Sequence, residues 1–227
     1  MSRLLTCLGL MVLTGLAYLA VWEAPFVYED MNAVVQHRAV RGEEPIQINR
    51  TRWVTATVHR ATFHVFGESP RAFHVGNVLL HLLNGLVVWS ILQRLLRHRI
   101  GALGGTVLFL LHPLQTEAVA YVAGRSELVS TGLALAAFRV ALEELTVIRM
   151  ASIVVLGGLA VCAKESTVVL VGLIVLYLAC AGRSQRIGRV AGVVGLLGLV
   201  VSLVAWLVFQ YDYLSSGERG ALEFAGY

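Results

Sequence analysis

The residues best suited to chemistry begin with an acidic pair, Glu29 and Asp30, which directly follows an apolar run and several aromatic residues. Adjacent carboxylates at a membrane surface can act as a general base or bind a divalent cation. A solvated loop turn is the alternative interpretation, and composition alone does not exclude it. The pair is therefore a candidate catalytic site whose use depends on its surroundings.

A second set of polar residues lies inside an apolar run. His74, Asn77, His81 and Asn84 are spaced at i, i+3, i+7 and i+10, which places all four on one narrow face of a helix. Such a face must contact other helices or a wet cavity. The two histidines are two turns apart and make a poor chelate by themselves. Interhelical hydrogen bonding and a substrate-facing role both remain open.

Two further clusters combine carboxylates with cations. A cation in either cluster could form a structural ion pair or bind a lipid phosphate at the level of the headgroups. Spacing alone does not distinguish these roles. The residues concerned are His112, Glu117, Arg125, Glu127, Lys164 and Glu165.

The composition decides what kind of fold must position these residues. Of the 227 residues, 57% are hydrophobic and 14% are charged, whereas soluble domains have roughly 45–50% apolar and about 25% charged residues. Soluble, disordered and collagen-like folds are therefore disfavoured, and an integral membrane protein is predicted. The three cysteines lie in apolar runs without CxxC spacing, so neither a disulfide framework nor a metal site is expected.

The apolar runs predict an all-α bundle of about seven transmembrane helices. The third run is broken or kinked at Pro113, because proline cannot continue a helix unperturbed. We expect four parts: a first span (1–22), an external loop (23–72), a six-helix bundle (73–209) and an external tail (210–227). The predicted spans are residues 4–22, 73–92, 100–122, 128–142, 150–163, 167–181 and 187–209.

The long external loop contains an amphipathic helix, in which Val54, Val58 and Val65 share one face while Arg52 and His59 point the other way. We expect this helix to lie in the membrane interface, with its valines toward the acyl chains.

The charges predict the orientation. With a cytoplasmic N-terminus, the inner segments contain nine basic and two acidic residues, whereas the outer segments contain nine basic and twelve acidic ones. This bias follows the positive-inside rule and places the C-terminus outside. The basic cluster at residues 94–99 is interpreted as a topological anchor, so membrane lipids are expected partners and nucleic acid is not.

Three motifs together resemble a known family. They are residues 66–84, residues 111–127 (Leu-His-Pro-Leu-Gln-Thr-Glu-Ala-Val-Ala-Tyr-Val-Ala-Gly-Arg-Ser-Glu) and residues 163–165 (Ala-Lys-Glu). They are similar to the membrane half of the transmembrane and tetratricopeptide-repeat-containing O-mannosyltransferases, in the C-type glycosyltransferase (GT-C) superfamily. The resemblance covers roughly residues 20–210 and implies a GT-C-like bundle. It also implies transfer of a sugar from a polyprenyl- or dolichyl-phosphate donor to an acceptor hydroxyl.

The resemblance also implies residue roles. Asp30, with Glu29 as its substitute, would be the general base, and Arg125 with Lys164 would stabilise the leaving phosphate. The remaining residues would shape the pocket, and the identity of any metal is left open. These pocket residues are His112, Glu117, Glu165, His74 and His81.

The chain departs from the family in two motifs and in length. It has Glu29-Asp30 where the family has two aspartates, and Arg52-Trp53-Val54 where the family has an aromatic-Arg-Pro motif. Family members continue into further spans and a helical-repeat domain, so we expect a truncated relative. The alternative is a non-catalytic membrane subunit that binds partner proteins through its helices. The absence of retention signals and disulfide-pattern cysteines favours a bacterial inner membrane.

Overall fold

The computed structural model describes residues 3–48, 52–96, 98–144 and 146–181, and this part of the chain is helical without strands. The all-α prediction is confirmed there. Short 3-10 turns cover Leu19–Glu23 and Glu165–Thr167, and a π-helical turn covers Met31–Val35. The α-helices are α1 (Arg3–Ala17), α2 (Arg38–Arg41), α3 (Trp53–Phe66), α4 (Pro70–Leu95), α5 (Arg99–Leu111), α6 (Gln115–Ala120), α7 (Arg125–Ala141), α8 (Val147–Ala163) and α9 (Val168–Ala181).

The longest of these helices is α4, with 26 residues. It begins at Pro70, whose fixed φ and missing N–H suit the first position of a helix. At about 1.5 Å per residue it is about 39 Å long, which exceeds the ~30 Å hydrocarbon core of a bilayer. Among the described residues, α4 is the one helix that is long and apolar enough to cross a membrane. Helices α1, α5 and α8 are apolar but shorter.

The chain breaks where Pro113 predicted it. Helix α5 ends at Leu111, His112 is extended, and α6 begins only at Gln115. The extended backbone of His112 is expected because the residue before a proline avoids the helical region. Residues 112–124, which include α6, therefore form the connection between α5 and α7.

Six of the seven predicted apolar runs coincide with described helices, although the first run ends in a 3-10 turn. The seventh run (187–209) and the tail (210–227) lie outside the described residues. The seven-span arrangement and the predicted domain boundaries therefore stay predictions.

The chain divides into two compact units, residues 1–167 and 168–227. In the first unit α4 packs against α1, α5 and α7, and α7 packs against α8. Two apolar clusters hold this unit together, one around Tyr18 and Val119 and one around Phe73 and Val122. In the second unit the described element is α9, a helix of almost entirely apolar residues.

The long loop contains a helix, α3, where an amphipathic helix was predicted, and the location of this helix in a membrane interface stays a prediction. Its polar residues Thr55 and His59 are buried, whereas Val65 and Phe66 are exposed. Helix α3 packs with α2, α4 and α8, so its polar face contributes to the interior of the first unit.

Candidate functional site

An open cavity of about 950 Å³ lies where the long loop meets the connection before α7. Its wall comes from residues 28–40, the first half of α3, residues 114–127 and the turn after α8. The charged and histidine side chains on this wall are Glu29, His37, Arg52, His59, Glu117, Glu127 and Lys164.

The two carboxylates of the acidic pair have different environments. Glu29 is exposed and lines the cavity. Asp30 is fully buried, and its two oxygens accept hydrogen bonds from the backbone N–H groups of Val27 at 3.2 Å and Ala123 at 2.8 Å. Asp30 therefore joins the start of the long loop to the connection before α7, and Glu29 is the member of the pair that a ligand can reach.

The turn after α8 is held by two adjacent ion pairs. Lys164, the sole lysine of the chain, donates to Glu127 at the start of α7. Glu165 binds Arg52 through two hydrogen bonds, with Nη2 2.7 Å from Oε1 and Nε 3.2 Å from Oε2. These pairs place two cations, Lys164 and Arg52, on the cavity wall.

The charges at this turn influence one another. Burial and the positive charge of Arg52 lower the pKa of Lys164, while Glu165, Glu117 and Glu29 act in the opposite direction. The hydrogen bond between Arg52 and Glu165 raises the pKa of Arg52 and lowers that of Glu165. Both cations are therefore within electrostatic reach of Glu29, which also favours the charged form of Arg52.

Arg125 was expected to contact a lipid phosphate, but it does not line the cavity. It is 1% exposed, and its guanidinium donates to Asn77 Oδ1 at 2.8 Å, Thr62 Oγ1 at 2.8 Å and the Phe73 carbonyl at 2.7 Å. It also lies over the Phe73 ring, 5.0 Å from the centroid. A phosphate contact would require Arg125 to leave these protein acceptors.

The polar face of α4 is buried, and for three of its residues interhelical hydrogen bonding is confirmed. Asn77 donates to the Tyr121 carbonyl, His81 Nε2 lies 3.1 Å from the Leu110 carbonyl, and Asn84 donates to the Leu128 carbonyl. His74 is equally buried. None of these side chains lines the cavity, so the histidines belong to the helix interior.

The other predicted pocket residues, His112, Glu117 and Glu165, have different positions relative to the cavity. Glu117 lines the cavity, whereas His112 caps the turn at Pro113 by accepting from the Leu114 N–H at 3.2 Å. Glu165 borders the cavity through its ion pair with Arg52. Within the part of the chain that the structure describes, no three His, Cys, Asp or Glu residues lie close enough together to hold a metal.

Sequence comparison connects this arrangement to known proteins. The chain is 31% identical over 139 residues to protein O-mannosyl-transferase Tmtc1 of Drosophila melanogaster and 30% identical over 149 residues to protein O-mannosyl-transferase F38B6.6 of Caenorhabditis elegans. It is 24% identical over 130 residues to protein O-mannosyl-transferase TMTC3 of Homo sapiens. The chain is a relative of the TMTC protein O-mannosyl-transferases.

These alignments cover 54%, 56% and 50% of this chain, but only 16%, 21% and 14% of the respective relatives. No protein-family model and no solved structure matches the chain significantly.

Two residues with a strained backbone conformation line the same cavity in this TMTC relative. Among the described residues, Tyr28 (φ 47°) and Arg52 (φ 61°) are the non-glycine residues with left-handed backbone, and both line the cavity. Such conformations cost roughly 1–2 kcal/mol and concentrate at functional sites. The sequence did not single out Tyr28, since nothing in it signals a left-handed tyrosine. The sequence signalled Arg52 and His59 as the polar face of an amphipathic helix, and Arg52 also as part of a departure from a family motif.

Proposed function

We propose that this chain takes part in a membrane glycosyltransferase reaction, in which a sugar moves from a polyprenyl-phosphate donor to an acceptor hydroxyl in the cavity. One observation carries the proposal: an exposed carboxylate, Glu29, shares the cavity wall with two cations, Arg52 and Lys164. A base beside phosphate-binding cations is what this reaction requires. The relationship to proteins named O-mannosyl-transferases favours mannose as the sugar.

A membrane location is part of the proposal, with the seven-span, GT-C-like arrangement and an external cavity. It is supported by the distribution of polarity in the first unit. Arg125, Asn77 and His81 are buried, whereas Ile100 is 75% exposed and Val147 is 84% exposed. Helices that contact lipid have this distribution, because lipid tails accept apolar side chains while polar ones must find partners inside.

In the proposed reaction the donor phosphate binds beside Lys164 and Arg52. The acceptor hydroxyl attacks the anomeric carbon, and Glu29 takes the hydroxyl proton. The bond between the anomeric carbon and the phosphate oxygen breaks, and the electron pair leaves with the phosphate. Lys164 and Arg52 stabilise the negative charge that develops there, as cations that their ion pairs with Glu127 and Glu165 hold in place.

Asp30 and Arg125 have positioning roles in this proposal. Asp30 orients Glu29 through its hydrogen bonds to Val27 and Ala123. Arg125 fixes the start of α7, the helix that supplies Glu127 to the ion pair with Lys164. We therefore assign the base to Glu29, and the phosphate contacts to Lys164 and Arg52.

The test is turnover by the full chain in lipid nanodiscs, with mannosyl-phosphoryl-polyprenol as donor and a Ser/Thr peptide as acceptor. Glu29→Gln should lower kcat by about 10²–10⁴-fold, the usual contribution of a general base. Glu23→Gln is the matched control, since Glu23 is an exposed carboxylate outside the cavity wall. Full activity of Glu29→Gln would overturn the assignment. A wild-type chain without turnover would favour the non-catalytic subunit instead.

A further inference from the structure

The end of the first unit that lies away from the cavity is strongly basic. Two segments form it, residues 94–99 around the α4–α5 connection and residues 139–149 around the α7–α8 connection, and together they contain five arginines and two glutamates. The cavity borders the start of the 17-residue helix α7, whereas this basic end lies at its other end. At about 1.5 Å per residue, the two are about 25 Å apart. The proposed reaction makes no use of the basic end.

Three arginines from different helices surround one glutamate, Glu143. Arg139 of α7 donates to it, with Nη1 2.6 Å from Oε1, and Nη2 of Arg94 in α4 lies 3.5 Å from Oε2. The charge of Arg149, near the start of α8, also favours the ionised form of Glu143. One carboxylate cannot neutralise three guanidinium groups, and even with Glu144 the two segments have three more positive than negative charges. This arginine cluster (Arg94, Arg139 and Arg149) is therefore expected to attract an anion.

The positive-inside rule accounts for the number of basic residues in such connections, but not for their meeting at one point. Arg94 and Glu143 are 49 residues apart in the sequence and come from different connections. Their contact depends on the packing of α4 against α7. The arginine cluster is therefore a feature of the tertiary structure, beyond the charge count of either loop.

Exposed apolar side chains flank the arginine cluster. Leu95, Leu96 and Ile100 belong to the α4–α5 side, and Val147 and Ile148 belong to the α7–α8 side. An amphipathic anion suits such a surface, because its charged headgroup can bind guanidinium groups while its acyl chains cover the apolar side chains. A soluble anion would leave these apolar side chains exposed.

We propose that the arginine cluster binds the headgroup of an anionic phospholipid. Arg94 and Arg149 would donate to the phosphate, since Arg139 is engaged by Glu143 and by Ser90 Oγ at 2.8 Å. A zwitterionic headgroup is a poorer ligand because it carries a cation of its own, which the arginines repel. This inference rests on the membrane location in the proposed function, but it does not depend on sugar transfer.

The experiment measures lipid binding by native mass spectrometry of the purified full chain in detergent. Phosphatidylglycerol and phosphatidylcholine are the two probes. The test variant is Arg94→Gln/Arg149→Gln, which keeps Arg139 and its two hydrogen bonds. Arg38→Gln/Arg71→Gln is the matched control, because it removes two exposed arginines outside the cluster. Arg94→Lys/Arg149→Lys keeps both charges.

We expect wild type to bind phosphatidylglycerol about 10-fold or more tightly than phosphatidylcholine, and Arg94→Gln/Arg149→Gln to lose most of this preference. The matched control and the lysine variant should keep it. An unchanged preference in the glutamine variant, or an equal loss in the matched control, would overturn the inference. If the glutamine variant does not fold, an unchanged preference in Arg94→Gln alone overturns it equally.

Two further outcomes separate the possible sources of failure. Displacement of phosphatidylglycerol by an equal concentration of glycerol 3-phosphate would show a site for soluble anions and contradict the inference. Release of the wild-type chain from membranes by alkaline carbonate, without detergent, would instead refute the membrane location and with it the proposed function.

Discussion

Asp30 accepts a hydrogen bond from the backbone N–H of Ala123 at 2.8 Å, although 93 residues separate them in the sequence. The same carboxylate also accepts from the N–H of Val27. Because Asp30 is fully buried, these two bonds fix the turn that presents Glu29 to the cavity. The acidic pair thus combines a structural carboxylate with an accessible one.

Asp30→Asn should destabilise the protein by about 1–3 kcal/mol, because an amide has one acceptor oxygen and leaves one backbone N–H facing its NH₂ group. Denaturant unfolding in detergent micelles measures this change. Glu29→Gln is the control and should shift the free energy of unfolding by less than about 0.5 kcal/mol, as exposed substitutions do. Equal effects of the two substitutions would contradict the structural role of Asp30.

Arg125→Lys should lower the stability of the protein more than a conservative exchange usually does. A lysine cannot reach Asn77, Thr62 and the Phe73 carbonyl together, so buried acceptors lose their donors at a cost of about 2–5 kcal/mol. Arg71→Lys is the matched control, because Arg71 is exposed near the start of α4. A thermal midpoint for Arg125→Lys as high as that of the control would show that the three hydrogen bonds are dispensable.

Some of this arrangement was predictable from the sequence. The apolar runs located α4, α7 and α8, because a helix pairs its backbone groups internally and a long apolar segment can therefore be buried as a helix. The break at Pro113 followed from the chemistry of proline. The stripe on α4 correctly indicated interhelical contacts, because four polar residues on one face need partners.

The functional assignments within the clusters were harder to predict. Glu29 and Asp30 are adjacent, and which of them faces the cavity depends on the left-handed Tyr28 and on Ala123 far along the chain. Arginine commonly binds phosphate, so the sequence made Arg125 a phosphate-binding candidate. Only the structure shows that its donors are already occupied by Thr62 and the Phe73 carbonyl. Such distinctions arise from tertiary contacts that spacing does not encode.

His59 should make the stability of the protein depend on pH. Its folded pKa, which burial lowers to about 3, lies below its unfolded value of about 6.5, so below pH 6.5 the unfolded chain binds a proton that the folded chain does not. This contribution to stability is fully present above pH 6.5 and is lost as the pH falls toward 3. The loss amounts to about 2 kcal/mol at pH 5.

The measurement is the free energy of unfolding of wild type and His59→Gln at pH 7 and pH 5. Wild type should lose about 2 kcal/mol more than His59→Gln over this interval. His64→Gln should behave like wild type, because His64 is exposed. Parallel pH profiles for wild type and His59→Gln would show that His59 is readily protonated in the folded chain.

Lys164 should titrate below an ordinary lysine, because burial and the charge of Arg52 lower its pKa. Since it is the sole lysine, reductive methylation with ¹³C-formaldehyde gives one dimethyl-lysine signal whose pH dependence NMR can follow. Arg52→Gln removes the nearby positive charge and should raise the pKa of Lys164. A decrease in the pKa on this substitution would contradict the electrostatic arrangement of the cavity.

Protection of Lys164 from acetylation by polyprenyl phosphate tests the central claim most directly, because it requires binding at the cavity but no turnover. The acetylation rate of Lys164 is measured by peptide mapping in nanodiscs, with the N-terminal amine as the internal control. We predict that saturating polyprenyl phosphate slows acetylation of Lys164 by about 10-fold or more, since a lipid phosphate there would engage the ammonium group. Polyprenol without phosphate should have no such effect. An unchanged rate with polyprenyl phosphate, or equal protection by polyprenol, would contradict the account.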